Sequence, residues 1–161
     1  MTNFDSSKYK PCTYRITEGR VSTMSNHYRK TIHDYRSRQK TTSCPFCSAD
    51  TRAAAIFEDD NVYVVPNLTK YDLWELHDVT DHLLVIPKRH VKSMAELGQA
   101  ERLSVMEVCA QYELNSYNIY ARGNGFVKRS VEHQHTHLIK ADNKRPRLAM
   151  FSRTPYFLFK I

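Results

Sequence analysis

The string His133-Gln134-His135-Thr136-His137 constrains this 161-residue chain more than any other feature. Alternate residues of an extended strand point to the same face. Three imidazoles at period two therefore project together, each about 6.5–7 Å from the next. Three potential cations in one row repel one another when protonated, which argues against a packing purpose. The row suits a metal, phosphoryl oxygens, or both. One imidazole can attack phosphorus while a neighbour donates to a phosphate oxygen or to the leaving group. His27, His33 and His77 stand alone and read as ordinary surface or core residues.

The pattern around the string is α+β. Strand character occurs at 55–57, at 62–66 and in the apolar run HLLVIP at 82–87. The polar segment 67–81 reads as a loop, with Tyr71, Leu73 and Trp74 as core or lid packing. Ser93 and Glu96 match a capping box and open a helix to about Asn115, interrupted or bent near Gly98. Leu103, Met106, Cys109, Ala110 and Leu114 form its expected apolar face. Strands follow at 117–121 and 131–139, separated by the turn Gly123-Asn124-Gly125. This order predicts an antiparallel sheet of about five strands with one central helix. The apolar tail PYFLFKI at 155–161 is expected to pack back on the domain, after a basic loop at 140–147.

Charge divides the chain in two. Residues 1–43 hold nine Lys/Arg against Asp5, Glu18 and Asp34, a net +6, which leaves +1 of the total +7 for residues 44–161. The expected organisation is a basic N-terminal extension, 1–43, followed by one domain, 44–161. A basic arm fits weak contact with an anionic partner such as nucleic acid, or simple solvation. A thin stripe of Met24, Tyr28, Ile32 and Tyr35 suggests a helix within 22–40. Aromatic residues at 11% argue against disorder, and no run reaches the eighteen or so apolar residues of a membrane span. Residues 1–10 are polar, without the apolar core of a secretory signal. The expectation is a cytoplasmic protein that makes no membrane contact.

Four cysteines are too few for a disulfide scaffold at this length. Cys44 and Cys47 form a C-x-x-C that reads as a metal knuckle or a redox pair. Redox pairs of this kind sit in a βαβ unit, and none is visible here. Cys109 falls in the helical pattern and reads as a small core hydrophobe.

Several motifs taken in order resemble the histidine triad (HIT) family of nucleotide hydrolases and transferases. They are Cys44-Pro45-Phe46-Cys47, Phe57-Glu58-Asp59-Asp60, the block Asp81-His82-Leu83-Leu84-Val85-Ile86-Pro87-Lys88-Arg89-His90, and the triad itself. The likeness spans about residues 44–140, and the C-x-x-C points to the zinc-containing branch. It implies a HIT-like fold and a structural Zn²⁺ held by Cys44, Cys47, His90 and His133. It implies that His135 is the nucleophile, attacking the α-phosphorus of a nucleoside phosphate ester, anhydride or amidate to give a nucleotidyl-histidine. His137, Ser130 and His82 would assist at the phosphate or leaving group. Asn67, Ser130, Asn124 and Arg129 would contact the nucleotide. The family also implies a homodimer. Alternatives are a nucleic-acid end-processing enzyme of the deadenylase kind and a non-catalytic module that binds zinc and nucleotide. The chain departs from the family pattern in three places. Polar Gln134 and Thr136 separate the histidines, Lys128-Arg129 precedes Ser130 in place of Gly-Gln, and Arg122 falls where the family carries Asn.

Overall fold

In a computed structural model, the described residues are 43–71, 73–75, 77–126, 129–144, 149–153 and 156–160. For Leu73 and for 149–153 and 156–160 the backbone alone is described. The expected helix within 22–40 and all of the basic extension except Ser43 lie outside these residues, as does part of the 140–147 loop.

The chain enters through a one-turn 3₁₀ helix, Pro45–Cys47, and a short helix α1, Ala49–Ala53. Ser48 caps α1 by accepting from the Thr51 N–H at 3.2 Å. Strands β1 (Phe57–Glu58), β2 (Val62–Pro66), β3 (Leu73–Trp74) and β4 (His77–Pro87) follow. Helix α2 spans Gln99–Glu113, and then come β5 (Tyr117–Ala121) and β6 (Thr136–Ala141). Strands β7 (Ala149–Arg153) and β8 (Tyr156–Lys160) pair with each other as a hairpin. The main sheet runs β1-β2-β4-β6-β5, antiparallel throughout, with β3 pairing the first residues of β4. This is the expected α+β architecture of five strands and a central helix. No helix among the described residues is long and apolar enough to cross a membrane.

The apolar runs are continuous because the sheet is covered on both faces. Val62, Val64, Leu83, Val85 and Leu138 face α2 and pack on Val105, Val108 and Cys109. Tyr63, Val65, Leu84 and Ile86, the alternate residues, face the other way onto Phe46 and Ala55. His137 is opposite Leu84 in the β4–β6 register, and Leu138 faces α2, so His137 lies on the face away from the helix.

Four local expectations are corrected. Ser93 does not open the long helix. Its hydroxyl accepts from the Ala95 N–H and caps a separate 3₁₀ turn, Met94–Glu96. Gly98 then breaks the chain, and Glu101 reaches back to the Gly98 N–H at 2.6 Å to start α2. The buried face of α2 is Ser104, Val105, Val108 and Cys109, so of the expected face only Cys109 is buried: Ala110 is exposed, and Leu103, Met106 and Leu114 are 57%, 64% and 83% exposed. The apolar residues at both faces blurred the period. The segment 67–81 is not all loop, since β4 begins at His77: backbone pairing with β6 and β3 extends it through residues 77–81, polar except for buried Val79. Finally, β6 begins only at Thr136, so His133 and His135 sit in the segment that leads into the strand.

Candidate active site and metal centre

Three segments far apart in sequence meet at the C-x-x-C. The 3₁₀ turn closes through a Cys47 N–H to Cys44 carbonyl bond of 3.1 Å, which turns both sulfurs the same way. The Tyr63 hydroxyl donates to the Phe46 carbonyl and fixes the turn to β2. His90 follows the end of β4, and His133 precedes β6. Cys44 Sγ lies 3.5 Å from His133 Nδ1, and Cys47 Sγ lies 3.3 Å from His90 Nδ1 and 3.5 Å from His133 Nδ1. The four ligand atoms fall within 4.8 Å of one another. A tetrahedron with Zn–S of about 2.3 Å and Zn–N of about 2.0–2.1 Å has S···N edges of about 3.5 Å. The donor set and its spacing therefore fit zinc.

Protonation agrees with that fit. His133 Nε2 is 2.9 Å from the Pro87 carbonyl, which only accepts, so Nε2 carries the proton and Nδ1 offers its lone pair to the sulfurs' side. Burial, then the neighbouring Cys44, push the Cys47 thiol above its ordinary range. A dication between the sulfurs reverses that shift.

Beside this cluster lies a cleft on the sheet face away from α2. It is lined by Phe46, Val65, Asn67, Leu84, Ser130, His135 and His137, among others. The donors around the histidines define every tautomer. The Tyr71 backbone N–H donates to His82 Nδ1 at 3.0 Å. His82 Nε2 must then carry the ring proton, and it donates to His137 Nδ1 at 2.9 Å. His137 Nε2 is left as an N–H donor. It is buried without a hydrogen-bond partner, in a residue only 6% exposed. His135 Nδ1 lies 2.8 Å from the His133 carbonyl and so donates to it, leaving the Nε2 lone pair as the reactive one. The His135 and His137 ring centroids are 5.0 Å apart. A lone pair and an orphaned N–H thus face one cleft, as a phosphate would require.

The rings are neutral at neutral pH. Burial lowers the His82 pKa to about 3 against the pull of Asp81, with Lys70 and Arg122 adding to the fall. Burial lowers His135 to about 4, opposed by its bond to the His133 carbonyl and aided by Arg129 and Arg122. His137 is held well below its ordinary value by burial, then by His135, His82 and Arg122. Neutral rings allow both the free lone pair and the directed proton.

The other expected residues divide. Asn67 and Ser130 line the cleft. Asn67 Oδ1 accepts from the Thr69 N–H at 3.0 Å, which turns its amide nitrogen toward the His82 ring. Asn124 is exposed in the turn after β5 and is not among the residues lining the cleft. Arg129 is not either. It donates to the Lys92 and Val131 carbonyls and to Gln134 Oε1 at 2.7, 3.2 and 3.1 Å, so it holds the loop before the triad. Its companion Gln134 is buried, and the Gln134 N–H donates to the Val91 carbonyl at 2.7 Å. Polar Gln134 between the first two histidines thus has local partners.

Three contributors went unassigned at the sequence level. Phe46 stands edge-on to His133 and His135, with centroids 6.0 and 5.1 Å apart. Tyr71 sets the His82 tautomer through its main chain, which no side-chain pattern betrays. Arg122 lines the cleft. The β5–β6 register could have found it, since Tyr120 pairs with His137 and Ala121 with Thr136, so the next residue comes level with His135.

No family model matches the chain, and no curated protein does. Solved structures do. A hypothetical protein from Leishmania major is 22% identical with a TM-score of 0.50, over 74% of this chain and 79% of that one. A HIT family hydrolase from Clostridium thermocellum is 17% identical with a TM-score of 0.49, over 68% of this chain and 99% of that one. A zinc-bound histidine triad family protein from Mycobacterium smegmatis is 23% identical with a TM-score of 0.46, over 63% and 76%. The likeness to the Leishmania major protein is one of fold.

Proposed function

We propose that this chain is a zinc-containing member of the histidine triad family that cleaves a nucleoside phosphate ester, anhydride or amidate at the α-phosphorus. The observation that carries the reading is the pair of nitrogens in the cleft. His135 Nε2 offers a lone pair, and His137 Nε2 offers a buried N–H without a partner.

In the first step the His135 Nε2 lone pair attacks the α-phosphorus. The bond from phosphorus to the leaving group breaks, and that group departs with the electron pair. The His135 Nδ1 proton stays on the ring, donated to the His133 carbonyl, which stabilises the imidazolium character that develops. His137 Nε2–H donates to a phosphoryl oxygen or to the departing atom, and the Ser130 hydroxyl lies in the same cleft. In the second step water attacks phosphorus and the P–N bond breaks. The pair returns to His135, and the water proton leaves with the monophosphate or to solvent. A phosphate acceptor in place of water gives transfer. Cys44, Cys47, His90 and His133 would hold zinc as a structural tie that fixes the segment carrying His135.

The test is release of nucleoside monophosphate from a panel of nucleoside polyphosphates and phosphoramidates. The expected result is turnover by wild type and a loss of roughly 10⁴-fold or more in kcat for His135→Ala. Equal turnover by both proteins overturns His135 as the nucleophile, and turnover by neither overturns the reading and favours a binding module.

A further inference from the structure

The segment that carries His135 is not held as a strand. β6 begins at Thr136, and its pairing with β4 ends at Thr136 opposite Val85. Residues 129–135 therefore lie outside the ladder, and sheet pairing does not place the His135 main chain. An irregular segment fixes a side chain only as well as its own hydrogen bonds allow.

Gln134, between His133 and His135, supplies such bonds. Its main-chain N–H donates to the Val91 carbonyl at 2.7 Å. Its side chain belongs to a residue only 3% exposed, so both ends of the amide need partners. Arg129 Nη2 can only donate, which makes the amide atom 3.1 Å away Oε1. Nε2 is then free to donate to the His135 carbonyl, 3.4 Å away. Arg129 is anchored in turn. Its Nη1 donates to the Lys92 carbonyl at 2.7 Å and its Nε to the Val131 carbonyl at 3.2 Å. Val91 and Lys92 directly follow His90 of the cysteine–histidine cluster. A chain of bonds thus runs from that loop through a guanidinium and an amide to the main chain of His135. The planar fork of Arg129 serves three acceptors at once, which a single ammonium could not. Neither Arg129 nor Gln134 is among the residues lining the cleft. Both stand where the chain departs from the pattern it resembles, and the geometry makes those two departures partners of each other.

We propose that Arg129 and Gln134 form one positioning unit for His135, in which the guanidinium holds the amide and the amide holds the main chain of the nucleophile. This rests on the reading of His135 as nucleophile. The His133 carbonyl sets the ring through Nδ1, and the Gln134 amide sets the main chain that carries the ring. Together they aim Nε2 into the cleft. A displacement of about 1 Å at an attacking atom costs up to roughly 10²-fold in rate.

The test measures kcat and KM on adenosine phosphoramidate and diadenosine triphosphate for wild type, Gln134→Val, Arg129→Gln and the double variant. Each single substitution should lower kcat roughly tenfold and leave KM within about twofold, and the double should lose no more than the larger single. An unchanged kcat, a rise in KM alone, or single losses that multiply in the double overturns the proposal and leaves the nucleophile standing. Arg129→Lys and Gln134→Glu serve where a first variant fails to fold. Lys keeps the charge without the fork, and Glu keeps the acceptor for Arg129 but loses the N–H toward His135. Both should fall in kcat, and wild-type rates from either overturn the pairing. Ring ¹H–¹⁵N NMR of the full chain at neutral pH reads the same claim without turnover. The His135 ring signals should move or broaden in Gln134→Val and in Arg129→Gln while those of His82 hold. Unmoved His135 signals overturn the role given to the pair. Absence of turnover by wild type overturns the nucleophile reading instead, and the NMR signals then judge the pair by themselves.

Discussion

At the scale of single residues, the site depends on where four ring protons sit. The Tyr71 N–H fixes His82, His82 fixes His137, the His133 carbonyl fixes His135, and the Pro87 carbonyl fixes His133. His82→Asn removes the donor that orients His137 while leaving His135 and the metal cluster untouched. The expected loss is roughly 10²-fold in kcat, the contribution of one positioned proton donor, with KM little changed. Steady-state kinetics checks this, and an unchanged kcat would remove His82 from the relay. The same rings govern acid stability. The unfolded chain takes up a proton on each histidine near pH 6.5, whereas the folded chain takes one on His82 only near pH 3. The stability associated with the neutral ring is fully present above about pH 6.5 and is lost as pH falls through the interval down to about 3, at no more than about 1.4 kcal/mol per pH unit. Urea midpoints at pH 7, 6 and 5 should fall, and His82→Asn should fall less steeply.

At the scale of elements, what the sequence disclosed depends on how burial is distributed. The triad, the HLLVIP run and the C-x-x-C were readable because their chemistry is local to a few residues. The face of α2 was not. Leu103, Met106 and Leu114 look like a core stripe, yet the sheet presses on Val105, Val108 and Cys109. The start of β4 at polar His77 was hidden for a related reason: hydrogen bonds to β3 and β6 form that part of the strand, with no apolar pattern to mark it. Tertiary contacts decided both. The distinction is measurable. Leu138→Ala, at a fully buried position under α2, should cost ~2–5 kcal/mol of stability, whereas Leu103→Ala should stay within about 0.5 kcal/mol. Comparable urea midpoints for the two variants would contradict the assignment of the helix face.

At the scale of the whole molecule, the cluster of Cys44, Cys47, His90 and His133 joins the entry turn, the end of β4 and the approach to β6. Those are also the walls of the cleft, because Phe46 sits inside the C-x-x-C and His135 two residues past His133. A metal there would stabilise the fold and position His135 in one act. Purified protein is expected to hold one zinc per chain, and chelation should lower both Tm and kcat. Cys47→Ser should begin from the lower Tm and respond little to chelator. The C-x-x-C alone left metal and redox chemistry open. Spacing in sequence could not add the two imidazoles; the family resemblance named His90 and His133, and the fold brings both to the sulfurs.

The central claim is that His135 is a nucleophile presented by its neighbours, and intact-protein mass spectrometry tests it most directly. Wild type and His135→Ala are mixed with diadenosine triphosphate and adenosine phosphoramidate, quenched within the first turnover under conditions that preserve a P–N bond, and mapped by peptide. A mass increase of one nucleoside monophosphate on the peptide carrying His135, absent from His135→Ala, is the predicted result. Monophosphate released at the wild-type rate with no adduct on that peptide, or an adduct that persists in His135→Ala, would contradict the account.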